Sequence, residues 1–444
     1  MNVHSISRRE LMRTMAVAGA SMAVPAAFTR RGHATEPSDT LSVALIGAGA
    51  QGRILMEDCL KIKGIRFRAV CDIWAYSQQY AGNYLKKLGQ EVAVYEDYRD
   101  LLAKEKGLDA CIVATPDWMH AEHAIACMDA GCHVYCEKEM SNSLEKAREM
   151  VLAARRTNKK LQIGHQRRSN PRYIHAIDTL IRNTGLLGRV THANAQWNRS
   201  KSDDLGWPAK YAIPPATLEK YGYEDMLQFR NWRWFKKYGG GPIVDLGSHQ
   251  IDLFGWLWNT PPKSVTACGG IDFYKSHEWY DNVMCIYEYE TPQGTNRAFY
   301  QVLTTTKHGG FCETFMGEDG TLVISEVPQA GNTVEREDHA KPWDVYVKQG
   351  LLLSVREAPK RVDTKNVFVD VRVSVPMGSW PLPVELAKPA HQPHLENFFD
   401  AVRTGAALNC PAEVAYESAV AVLAANEAVR TGQRIEFRPE DFKV

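Results

Sequence analysis

Residues Leu41–Gly52 read LSVALIGAGAQG, an apolar run that leads directly into three glycines spaced as G-x-G-x-x-G. The first glycine, Gly47, permits a tight turn from strand to helix, and the second, Gly49, lets a diphosphate approach the backbone. The third, Gly52, lets the helix pack closely on the strand, so that the diphosphate lies at a helix N-terminus. The spacing predicts a dinucleotide site, and a glycine-rich turn in a non-binding α/β domain is the alternative.

A second apolar run supports this prediction and bears on the identity of the cofactor. Ile65–Cys71 leads into Asp72, twenty residues beyond Gly52, where a carboxylate accepts the hydroxyls of an adenosine ribose. Asp72 favours NAD, because a carboxylate repels the 2′-phosphate of NADP. Arg66 and Arg68 lie close in sequence and leave NADP open as the cofactor.

The first 34 residues have the order of a twin-arginine signal peptide. SRREL at residues 7–11 precedes a weakly apolar run over Met15–Phe28, and small residues end the segment at Ala34. The run is roughly fifteen residues long and a spanning helix needs about twenty. We therefore expect a periplasmic or otherwise exported protein that uses the twin-arginine export machinery and has no stable membrane anchor. An amphipathic N-terminal helix of a cytoplasmic enzyme is the alternative.

Export through this route has a consequence for the cofactor. The twin-arginine route carries folded proteins, and no free pool of NAD is expected outside the inner membrane. The sequence therefore predicts a nucleotide that is loaded inside the cell, held tightly and regenerated in place.

Composition bears on the classes of partner and site. The first 34 residues hold five basic residues and one acidic residue, so the rest of the chain has a net charge near −3 and no electrostatic footprint for nucleic acid or an anionic membrane. The roughly 410 remaining residues are too many for one core. Several of the ten cysteines, such as Cys71 and Cys111, lie in apolar runs and are interpreted as small buried side chains. Cys132-x-x-x-Cys136 lacks the paired spacing of a zinc site, and no metal is expected.

Strand-like and helix-like segments alternate through the first half, as a parallel sheet requires. The predicted strands are Ser42–Ile46, Arg66–Cys71, Val92–Tyr95, Ala110–Thr115, His133–Cys136 and Leu161–Gly164. The predicted helices are Gln51–Ile62, Ala75–Leu88, Tyr98–Lys104, His120–Ala130 and Ser143–Thr157. Ligands bind beyond the carboxyl ends of such strands, and the tripeptides that begin at Thr115 and Glu137 occupy two of these ends.

The second half alternates like half-buried antiparallel strands. The predicted strands are Ser264–Phe273, Asn282–Glu290 and Arg297–Thr305, with further strands or an extended insertion at Trp343–Val347 and Asn366–Val375. Gln196–Trp207 and Phe229–Trp234 concentrate tryptophans and arginines, and flat rings stack on sugar faces, with core packing as the alternative. Amphipathic helices are predicted at His394–Arg403 and Ala412–Arg430.

A succession of motifs resembles the Gfo/Idh/MocA oxidoreductase family. The motifs are GAGAQG, VCDIW, YEDYRDLL, ATPDWMHAEHAIACMDAGCHVYCEKE, IGHQRRSNPRY and GGGPIVDLGSHQIDLF. The resemblance implies a Rossmann domain at residues 35–165 and an α+β domain at residues 166–390 with a predominantly antiparallel, open-faced sheet. Helices at residues 391–444 are expected to pack on the core. The active site is expected between the two domains, in a chain that forms a homo-oligomer.

The family's E-K-P motif matches Glu137 and Lys138, and the resemblance places the lysine near the nicotinamide and the substrate hydroxyl. The third position is Glu139, and a cis peptide without proline costs about 2.5–4 kcal/mol. We therefore expect either a trans loop or a lysine held by other contacts. The added carboxylate is predicted to repel an acidic substrate or to hydrogen-bond a sugar hydroxyl. A solvated surface lysine is the alternative for Lys138.

Gly239–Phe254, GGGPIVDLGSHQIDLF, predicts a tight turn followed by a helix with Pro242 in its first turn. In that helix Asp245 and His249 are four residues apart and share a face. An imidazole beside a carboxylate can take a proton from an alcohol while hydride leaves its carbon, although a satisfied core histidine shows the same spacing. The family's D-x-x-x-H motif assigns His249 as the acid/base and Asp245 as the carboxylate that binds or orients the substrate. Asp252 is predicted either to support the site residues from behind or to be structural.

GHQRRSNPRY, at residues 164–173, follows the last strand of the first domain and crosses between domains in members of the family. Its candidates for cofactor or substrate contact, against a purely structural role, are His165, Gln166 and Arg167. Arg168 and Arg172 are interpreted as solvent or interface charges.

The predicted site therefore combines two sets of residues. The residues predicted to contact the cofactor are Gly47, Gly49, Ala50, Gln51, Gly52, Asp72, Thr115, Pro116, Glu137, Lys138 and Arg167. Those predicted to bind the substrate are Lys138, His165, Arg167, Asp245 and His249, of which Lys138, Asp245 and His249 are the catalytic candidates. The resemblance implies hydride transfer between NAD(P) and a secondary hydroxyl of a sugar, polyol or glycoside. The alternatives are a redox-neutral glycosidase or lyase that passes through a transient 3-keto sugar, and a cofactor-binding module that has lost catalysis.

Overall fold

The computed structural model describes residues 40–328, 330–355 and 377–444. The predicted signal peptide at residues 1–34 and the extended segment predicted at Asn366–Val375 lie outside the described residues. Both stay predictions.

Strands and helices alternate through the first half of the described chain. Their bounds are β1 (Leu41–Ile46), α1 (Ala50–Cys59), β2 (Ile65–Cys71), α2 (Ala75–Lys87), β3 (Ala93–Tyr95), α3 (Tyr98–Lys104), β4 (Ala110–Val113), α4 (Asp117–Asp129), β5 (His133–Cys136), α5 (Leu144–Thr157) and β6 (Leu161–Ile163). The strands pair in parallel in the order β3-β2-β1-β4-β5-β6. The order reverses between β1 and β4, and ligands of open α/β sheets bind beyond such a point. The predicted Rossmann architecture is confirmed.

The second half centres on a nine-stranded sheet. Its strands are β7 (Val190–Asn198), β8 (Ser264–Gly270), β9 (Asn282–Thr291), β10 (Gly294–Leu303), β11 (Phe311–Gly317), β12 (Gly320–Ile324), β13 (Thr333–Arg336), β14 (Gly378–Pro381) and β15 (Ile435–Glu436). They lie in the order β14-β13-β12-β11-β7-β10-β9-β8-β15. β7 and β10 pair in parallel, and every other pair of neighbouring strands described in this sheet is antiparallel. On β9, Met284 and Ile286 are exposed while Cys285 and Tyr287 are buried, so one face is covered and one is open. The predicted open-faced, predominantly antiparallel sheet is confirmed.

The other helices connect and cover the two sheets. Their bounds are α6 (Pro171–Ile174), which continues as a π-helix over His175–Asn183, α7 (Pro215–Lys220), α8 (Met226–Arg230), α9 (Gly241–Asp245), α10 (Ser248–Trp258), α11 (Asp344–Lys348), α12 (Gln392–Thr404) and α13 (Ala412–Thr431). Short 3₁₀ turns lie at Gln166–Ser169, Ala209–Tyr211, Trp232–Trp234 and Pro439–Phe442.

α11 lies where a strand was predicted at Trp343–Val347, and that prediction is wrong. Trp343, Tyr346 and Val347 all pack on the core of the second sheet, and their spacing of three and four residues is helical. The segment also reads as apolar and polar residues in alternation, so its pattern alone fits either structure.

The two C-terminal helices confirm the predicted amphipathic segments. α12 packs Leu395, Phe398 and Phe399 on the face of the parallel sheet that α1 and α2 also cover. α13 places Ala419 in the core on the opposite face and Val422 in the core of the second sheet. The helix therefore belongs to both hydrophobic cores. The domain boundaries at residues 165 and 390 stay predictions.

The structure describes all ten cysteines, and none of them forms a disulfide. Cys268 is exposed, Cys312 is partly buried and the others are buried, which confirms that most act as small apolar side chains. No helix among the described residues is long and apolar enough to cross a membrane. In the same ranges, no three His, Cys, Asp or Glu side chains gather in a way that could hold a metal ion.

Candidate active site

A continuous crevice extends from the glycine turn after β1 to the start of α10. It encloses about 880 Å³, within the size range of small-molecule sites. One wall consists of the carboxyl ends of the parallel strands, and the other consists mainly of the chain between β7 and α10. The predicted site residues that line the crevice are Gly47, Gly49, Ala50, Gln51, Asp72, Thr115, Pro116, Glu137, Lys138, Gln166, Asp245 and His249.

The glycine turn has the shape that a dinucleotide requires. Gly47 has a φ of +90°, and a Cβ there would lie 2.6 Å from the carbonyl carbon of Ala114. A Cβ at Gly52 would lie 1.9 Å from the carbonyl oxygen of Gly47, so this position beneath the crevice also needs glycine. At Gly49 no atom lies within 4 Å of the corresponding point. The outer glycines therefore permit the turn, and the middle one leaves the open space that a diphosphate needs.

Asp72 lies beside the glycine turn. Its Oδ2 accepts a hydrogen bond from the backbone N–H of Ala48 at 2.8 Å, and its Oδ1 accepts one from that of Trp74 at 2.8 Å. Burial raises the pKa of Asp72 to about 6, although these two hydrogen bonds and the charges of Arg53 and Arg230 oppose the shift. Each carboxylate oxygen has a further lone pair, which suits the group to ribose hydroxyls.

Glu137 lies at the end of β5, where its contacts fix it against the floor of the crevice. Its Oε1 accepts hydrogen bonds from Gln51 Nε2 at 3.2 Å and from the hydroxyl of Tyr135 at 3.5 Å. Gln51 Nε2 also lies 3.0 Å from Nε2 of His391, which comes from the C-terminal part of the chain. A Cβ at Gly164 would lie 2.9 Å from Glu137 Oε1, so a glycine is needed beside this carboxylate.

Lys138 is held by Asp245, from the other wall. Its Nζ donates to the carbonyl oxygen of Asp245 at 2.6 Å and lies 3.3 Å from Oδ1 of the same residue. Arg233 Nε lies 3.1 Å from that Oδ1. Although burial opposes the shift, the charges of Arg233, Lys138 and Arg199 hold the pKa of Asp245 well below its usual range. The Lys138–Glu139 peptide is cis, so the expected trans loop is not found. The alternative expectation is met, because contacts to Asp245 hold the lysine.

His249 lies on the first turn of α10 and is nearly buried, with 7% of its surface exposed. Its ring centroid lies 5.5 Å from that of Trp197. Burial, followed by the positive charges of Lys138 and Arg167, lowers the pKa of His249 well below its usual value. The imidazole is therefore neutral near pH 7, the form that can accept a proton.

Asp245 and His249 do not lie on one helix, so the predicted continuous helix is wrong. α9 ends at Asp245 and α10 begins at Ser248. A Cβ at Gly247 would lie 2.4 Å from the carbonyl oxygen of Ile243, so the chain passes too closely at the break for a larger residue. Both side chains still line the crevice, because the break keeps the end of one helix beside the start of the next.

Asp117 also lines the crevice, although the sequence analysis did not select it as a site residue. It is the first residue of α4 and follows Thr115 and Pro116 at the end of β4. Burial raises the pKa of Asp117 to about 7, with Lys138 opposing and Asp245 reinforcing the shift. Its position at a strand end was the signal that could have identified it.

Glu139 does not line the crevice, which corrects the expectation that it meets a substrate. The side chain is fully buried, and its Oε1 accepts the backbone N–H of Met140 at 2.8 Å. Burial raises the pKa of Glu139 to about 8. The carboxyl is therefore protonated over most of the neutral range.

Two further predicted residues do not line the crevice. Arg167 is 1% exposed and lies 2.5 Å from an oxygen of Glu313 and 3.0 Å from one of Glu326, so its guanidinium belongs to a buried ion cluster. His165 is also 1% exposed, and its Nδ1 lies 4.0 Å from Asp252. The structure therefore does not bring either side chain to the cofactor or substrate wall.

Arg168 and Arg172 are not solvent charges, because the Arg168 side chain is only 13% exposed and Arg172 is buried. That they are interface charges stays a prediction. Arg168 donates from Nε and from its terminal nitrogen to the carboxylate of Asp252, each at 2.8 Å, which confirms a structural role for Asp252. Arg172 is buried and donates to the carbonyl oxygens of Ser325 at 2.9 Å and Val384 at 3.2 Å. The charges were evident in the sequence, but their partners lie far away along the chain.

The wall opposite the strand ends contributes residues from the two segments that concentrate tryptophan and arginine, to which no individual roles were assigned from the sequence. Trp197 stacks on Phe311 with ring centroids 4.5 Å apart, and Arg199 Cζ lies 5.3 Å from the centre of the Trp197 ring. Arg233 reaches Asp245, as described above. The density of tryptophan and arginine was the signal for these three, whereas nothing local marked His391.

The arrangement supports proton transfer coupled to chemistry at a cofactor. A neutral imidazole, an ammonium group and an ionised carboxylate line one end of the crevice, and an open glycine turn lines the other. The imidazole can accept a proton, while the ammonium can stabilise the oxyanion that the proton leaves behind.

Two family models match most of the chain. The first, oxidoreductase family, NAD-binding Rossmann fold (GFO_IDH_MocA), matches residues 41–165. The second, GFO/IDH/MocA C-terminal domain, matches residues 175–323.

Relatives with assigned names and solved structures agree with these matches. The chain is 26% identical over 349 residues to an inositol 2-dehydrogenase of Rubrobacter xylanophilus, a match that covers 74% of this chain and 94% of that protein. It is 28% identical over 236 residues to a D-glucoside 3-dehydrogenase of Escherichia coli, covering 52% and 58%. Its fold is similar to the WlbA dehydrogenase of Chromobacterium violaceum, crystallised with NADH and UDP-GlcNAcA, with a TM-score of 0.64 and 20% identity over 90% of this chain and 97% of that one.

Proposed function

We propose, on the premise that this chain belongs to the Gfo/Idh/MocA family of NAD-binding oxidoreductases, that it transfers hydride between a tightly bound nicotinamide and a secondary hydroxyl of a sugar, polyol or glycoside. One observation carries the proposal. Lys138, Asp245 and His249 meet in a crevice whose other end is the open turn at Gly49. The names of the inositol and glucoside dehydrogenases support a sugar or polyol as the substrate class.

The three side chains have separate roles in the proposed reaction. His249, neutral because it is buried beside positive charges, takes the hydroxyl proton from the substrate. Lys138, fixed by its bond to the carbonyl oxygen of Asp245, stabilises the developing oxyanion. The ionised carboxylate of Asp245 accepts hydrogen bonds from a neighbouring substrate hydroxyl. A nicotinamide bound near Lys138 would supply the hydride acceptor.

The cofactor-binding side of the proposal uses the residues around the glycine turn. Gly47, Gly49 and Gly52 would hold the diphosphate at the start of α1, with Ala50 and Gln51 in its first turn. Asp72 would accept the ribose hydroxyls, so NAD is proposed over NADP.

The location of the protein in the cell and its oligomeric state are two further proposals. The twin-arginine pattern at residues 7–11 supports export to the periplasm with the cofactor already bound. The open face of the nine-stranded sheet, which carries Met284 and Ile286, supports a homo-oligomer. Light scattering on the purified protein would measure that assembly, and a monomer would contradict it.

A redox-neutral glycosidase or lyase is the second proposal. The relative named for oxidation of glucosides at position 3 supports it, because a 3-keto sugar acidifies the neighbouring C2 proton and allows elimination of the aglycone. The reduced cofactor would then return the hydride, so that no net oxidation occurs.

The test combines ligand identification with turnover. Mass spectrometry of the small molecule released on denaturation of the purified protein is expected to show NAD. Incubation with inositols, aldoses and aryl glycosides is expected to give NADH absorbance with at least one of them. Release of the aglycone without net change in NADH would favour the glycosidase, and a protein that binds no dinucleotide would contradict both proposals.

A further inference from the structure

The segment from residue 203 to residue 235, here named the crossing segment, lies in sequence between β7 and β8 of the second sheet but extends over the cofactor end of the crevice. It contains α7 and α8. The crevice residues that it contributes include Leu205, Lys220, Tyr221, Phe229 and Arg230. On the opposite side of the crevice lie Asp72 and the residues that follow it, the place where the adenosine ribose of a dinucleotide binds in this fold.

Three polar contacts tie the crossing segment to the rim of the first sheet. Trp74, two residues beyond Asp72, donates from Nε1 to the carbonyl oxygen of Tyr211 at 2.6 Å. The hydroxyl of Tyr211 in turn donates to Gln79 Oε1, on α2, at 3.0 Å. Trp118, on α4, donates from Nε1 to the hydroxyl of Tyr223 at 3.3 Å. The residues that hold the crossing segment therefore lie on two different helices beside the first sheet and in the loop after β2.

A further bridge links the crossing segment to the loop after β3. Glu96 Oε1 accepts a hydrogen bond from the hydroxyl of Tyr221 at 2.9 Å and lies 3.3 Å from Lys220 Nζ. All three residues line the crevice, so this bridge joins its two walls.

Apolar packing fixes the crossing segment between these anchors. Trp74 from the first sheet is buried in one cluster with Ile213, Leu218 and Met226 of the crossing segment. The ring of Phe229 meets that of Trp74 edge-on, with centroids 5.9 Å apart. Because these side chains are buried together, lifting the segment would expose a mixed aromatic and aliphatic core to water.

Arg230 places a positive charge at the same end of the crevice. Its Cζ lies 4.6 Å from the centre of the Trp74 ring, and its Nε donates to the carbonyl oxygen of Gly206 at 3.2 Å. Its charge acts on the Asp72 carboxylate. A guanidinium in this position suits the flat, electron-rich adenine or the phosphates of a nucleotide.

We infer that the crossing segment completes the binding site for the adenosine half of the dinucleotide and sets the rate at which the dinucleotide leaves. The inference rests on the proposed function only in requiring that a nicotinamide dinucleotide binds at the glycine turn. The nucleotide dissociates after the bridge to Glu96 opens and the segment lifts from Trp74. The site thus has a structural basis for retaining its cofactor, in residues that were not among the predicted cofactor contacts.

The bridge to Glu96 gives the most direct test. Lys220→Ala combined with Tyr221→Phe removes both contacts to Glu96 and keeps the aromatic ring. Lys263→Ala is the matched control, because Lys263 pairs with Glu290 at 3.0 Å on the second sheet with similar exposure of both side chains. Displacement of bound NADH by excess NAD, followed by fluorescence, measures the dissociation rate. We expect the double variant to lose NADH about ten-fold faster than the wild type, and Lys263→Ala to match the wild type.

ADP-ribose distinguishes the two ends of the cofactor, because it keeps the adenosine half and lacks nicotinamide. We expect the double variant to release ADP-ribose faster by a similar factor. Trp74→Phe, which loses the bond to Tyr211 and keeps a ring, is a second variant and is expected to accelerate release as well.

Several outcomes would overturn the inference. Equal NADH dissociation rates in the wild type and in folded double variant and Trp74→Phe proteins would do so while leaving the proposed function intact. If the variants released NADH faster but released ADP-ribose at the wild-type rate, the segment would act on the nicotinamide half of the cofactor and not on the adenosine half. A wild-type protein that binds neither NADH nor NAD would instead overturn the proposed function.

Discussion

The two walls of the crevice are built in different ways. The first wall uses backbone geometry and strand ends from a short stretch of sequence, and its central feature is the space left beside Gly49. The opposite wall uses side chains from separate segments, including Trp197, Arg233, Asp245 and His249. A cofactor with an invariant diphosphate can be recognised by backbone, whereas proton transfer needs particular side chains at particular positions. Changes at the glycine turn and at Asp72 should therefore alter cofactor binding, and changes at Asp245 or His249 should alter turnover.

Removing the imidazole should give the largest effect. We expect His249→Ala to lower kcat by about 10²–10⁴-fold, because the general base is lost, and to leave NADH affinity unchanged. Steady-state kinetics on a substrate found in the screen, with NADH titration by fluorescence, measures both. His175→Ala is the control, since His175 bonds to the carbonyl oxygen of Leu351 at 2.9 Å and does not line the crevice. Full activity in His249→Ala would contradict the proposal that His249 is the general base.

Glu139, which replaces the proline of the E-K-P motif, is an acidic side chain in a fully buried position, and its effect on stability can be measured. Burial raises its pKa from 4.5 to about 8, so the folded state binds this proton more tightly than the unfolded state. The associated stability is present below about pH 4.5 and is lost as the pH rises through 8, by at most about 5 kcal/mol. Glu139→Gln should therefore flatten the fall in Tm between pH 5 and pH 9, measured by calorimetry. Asp117 titrates in both proteins, so the difference between them isolates Glu139.

The exposed residue Glu413 provides the control for that measurement. Glu413→Gln should reproduce the wild-type dependence of Tm on pH. Identical slopes for Glu139→Gln and the wild type would contradict the placement of Glu139 as a buried, protonated group.

Two glycines of the first wall should separate folding from binding. Gly49→Ala should fold with an unchanged Tm, because no atom lies within 4 Å of the added carbon, yet weaken NADH binding by about ten-fold or more by filling the diphosphate space. Gly52→Ala should destabilise the fold by about 1–3 kcal/mol, because the carbon would lie 1.9 Å from the Gly47 oxygen. Thermal unfolding and NADH titration measure the two effects. The reverse pattern would show that the turn does not face the cofactor.

The smallest expected effect concerns the choice of cofactor. Asp72→Ser should weaken NAD binding by about ten-fold and shift the ratio of NADP to NAD affinity toward NADP. The carboxylate that repels a 2′-phosphate is lost, while the charges of Arg53 and Arg230 remain. Titration with both cofactors measures the ratio. An unchanged ratio would mean that Asp72 does not face the adenosine ribose.

Much of the fold was predictable because it depends on local spacing. The glycine turn, the alternation of strands and helices that a parallel sheet requires and the E-K pair at the end of β5 follow from periodicity and from short motifs whose residues are neighbours in sequence. The segment that became α11 shows the limit of this approach, because Trp343, Asp344 and Val345 fit alternation as well as a helix. Packing of Trp343 and Tyr346 on the second sheet selected the helix.

The candidate site was predictable only where a motif carried it. Lys138, Asp245 and His249 reach the crevice as expected, although a break before Ser248 separates the last two into different helices. Arg167 was also predicted from its motif to contact the cofactor and the substrate, yet Glu313 and Glu326 hold it in a buried cluster. A sequence shows which side chains carry charge, but it does not show which distant partner neutralises them.

By itself, the amino-acid sequence determined a nucleotide-binding α/β domain followed by a second sheet, because turns, strand periodicity and steric room at glycine act over a few residues. The tertiary structure alone decided the protonation states and the partners. Burial raises the pKa of Glu139 to about 8, Lys138 is paired with Asp245, and the crossing segment packs against Trp74, two residues beyond Asp72. These properties depend on burial and on contacts between residues far apart in the chain, and burial and contact exist only after the chain has folded.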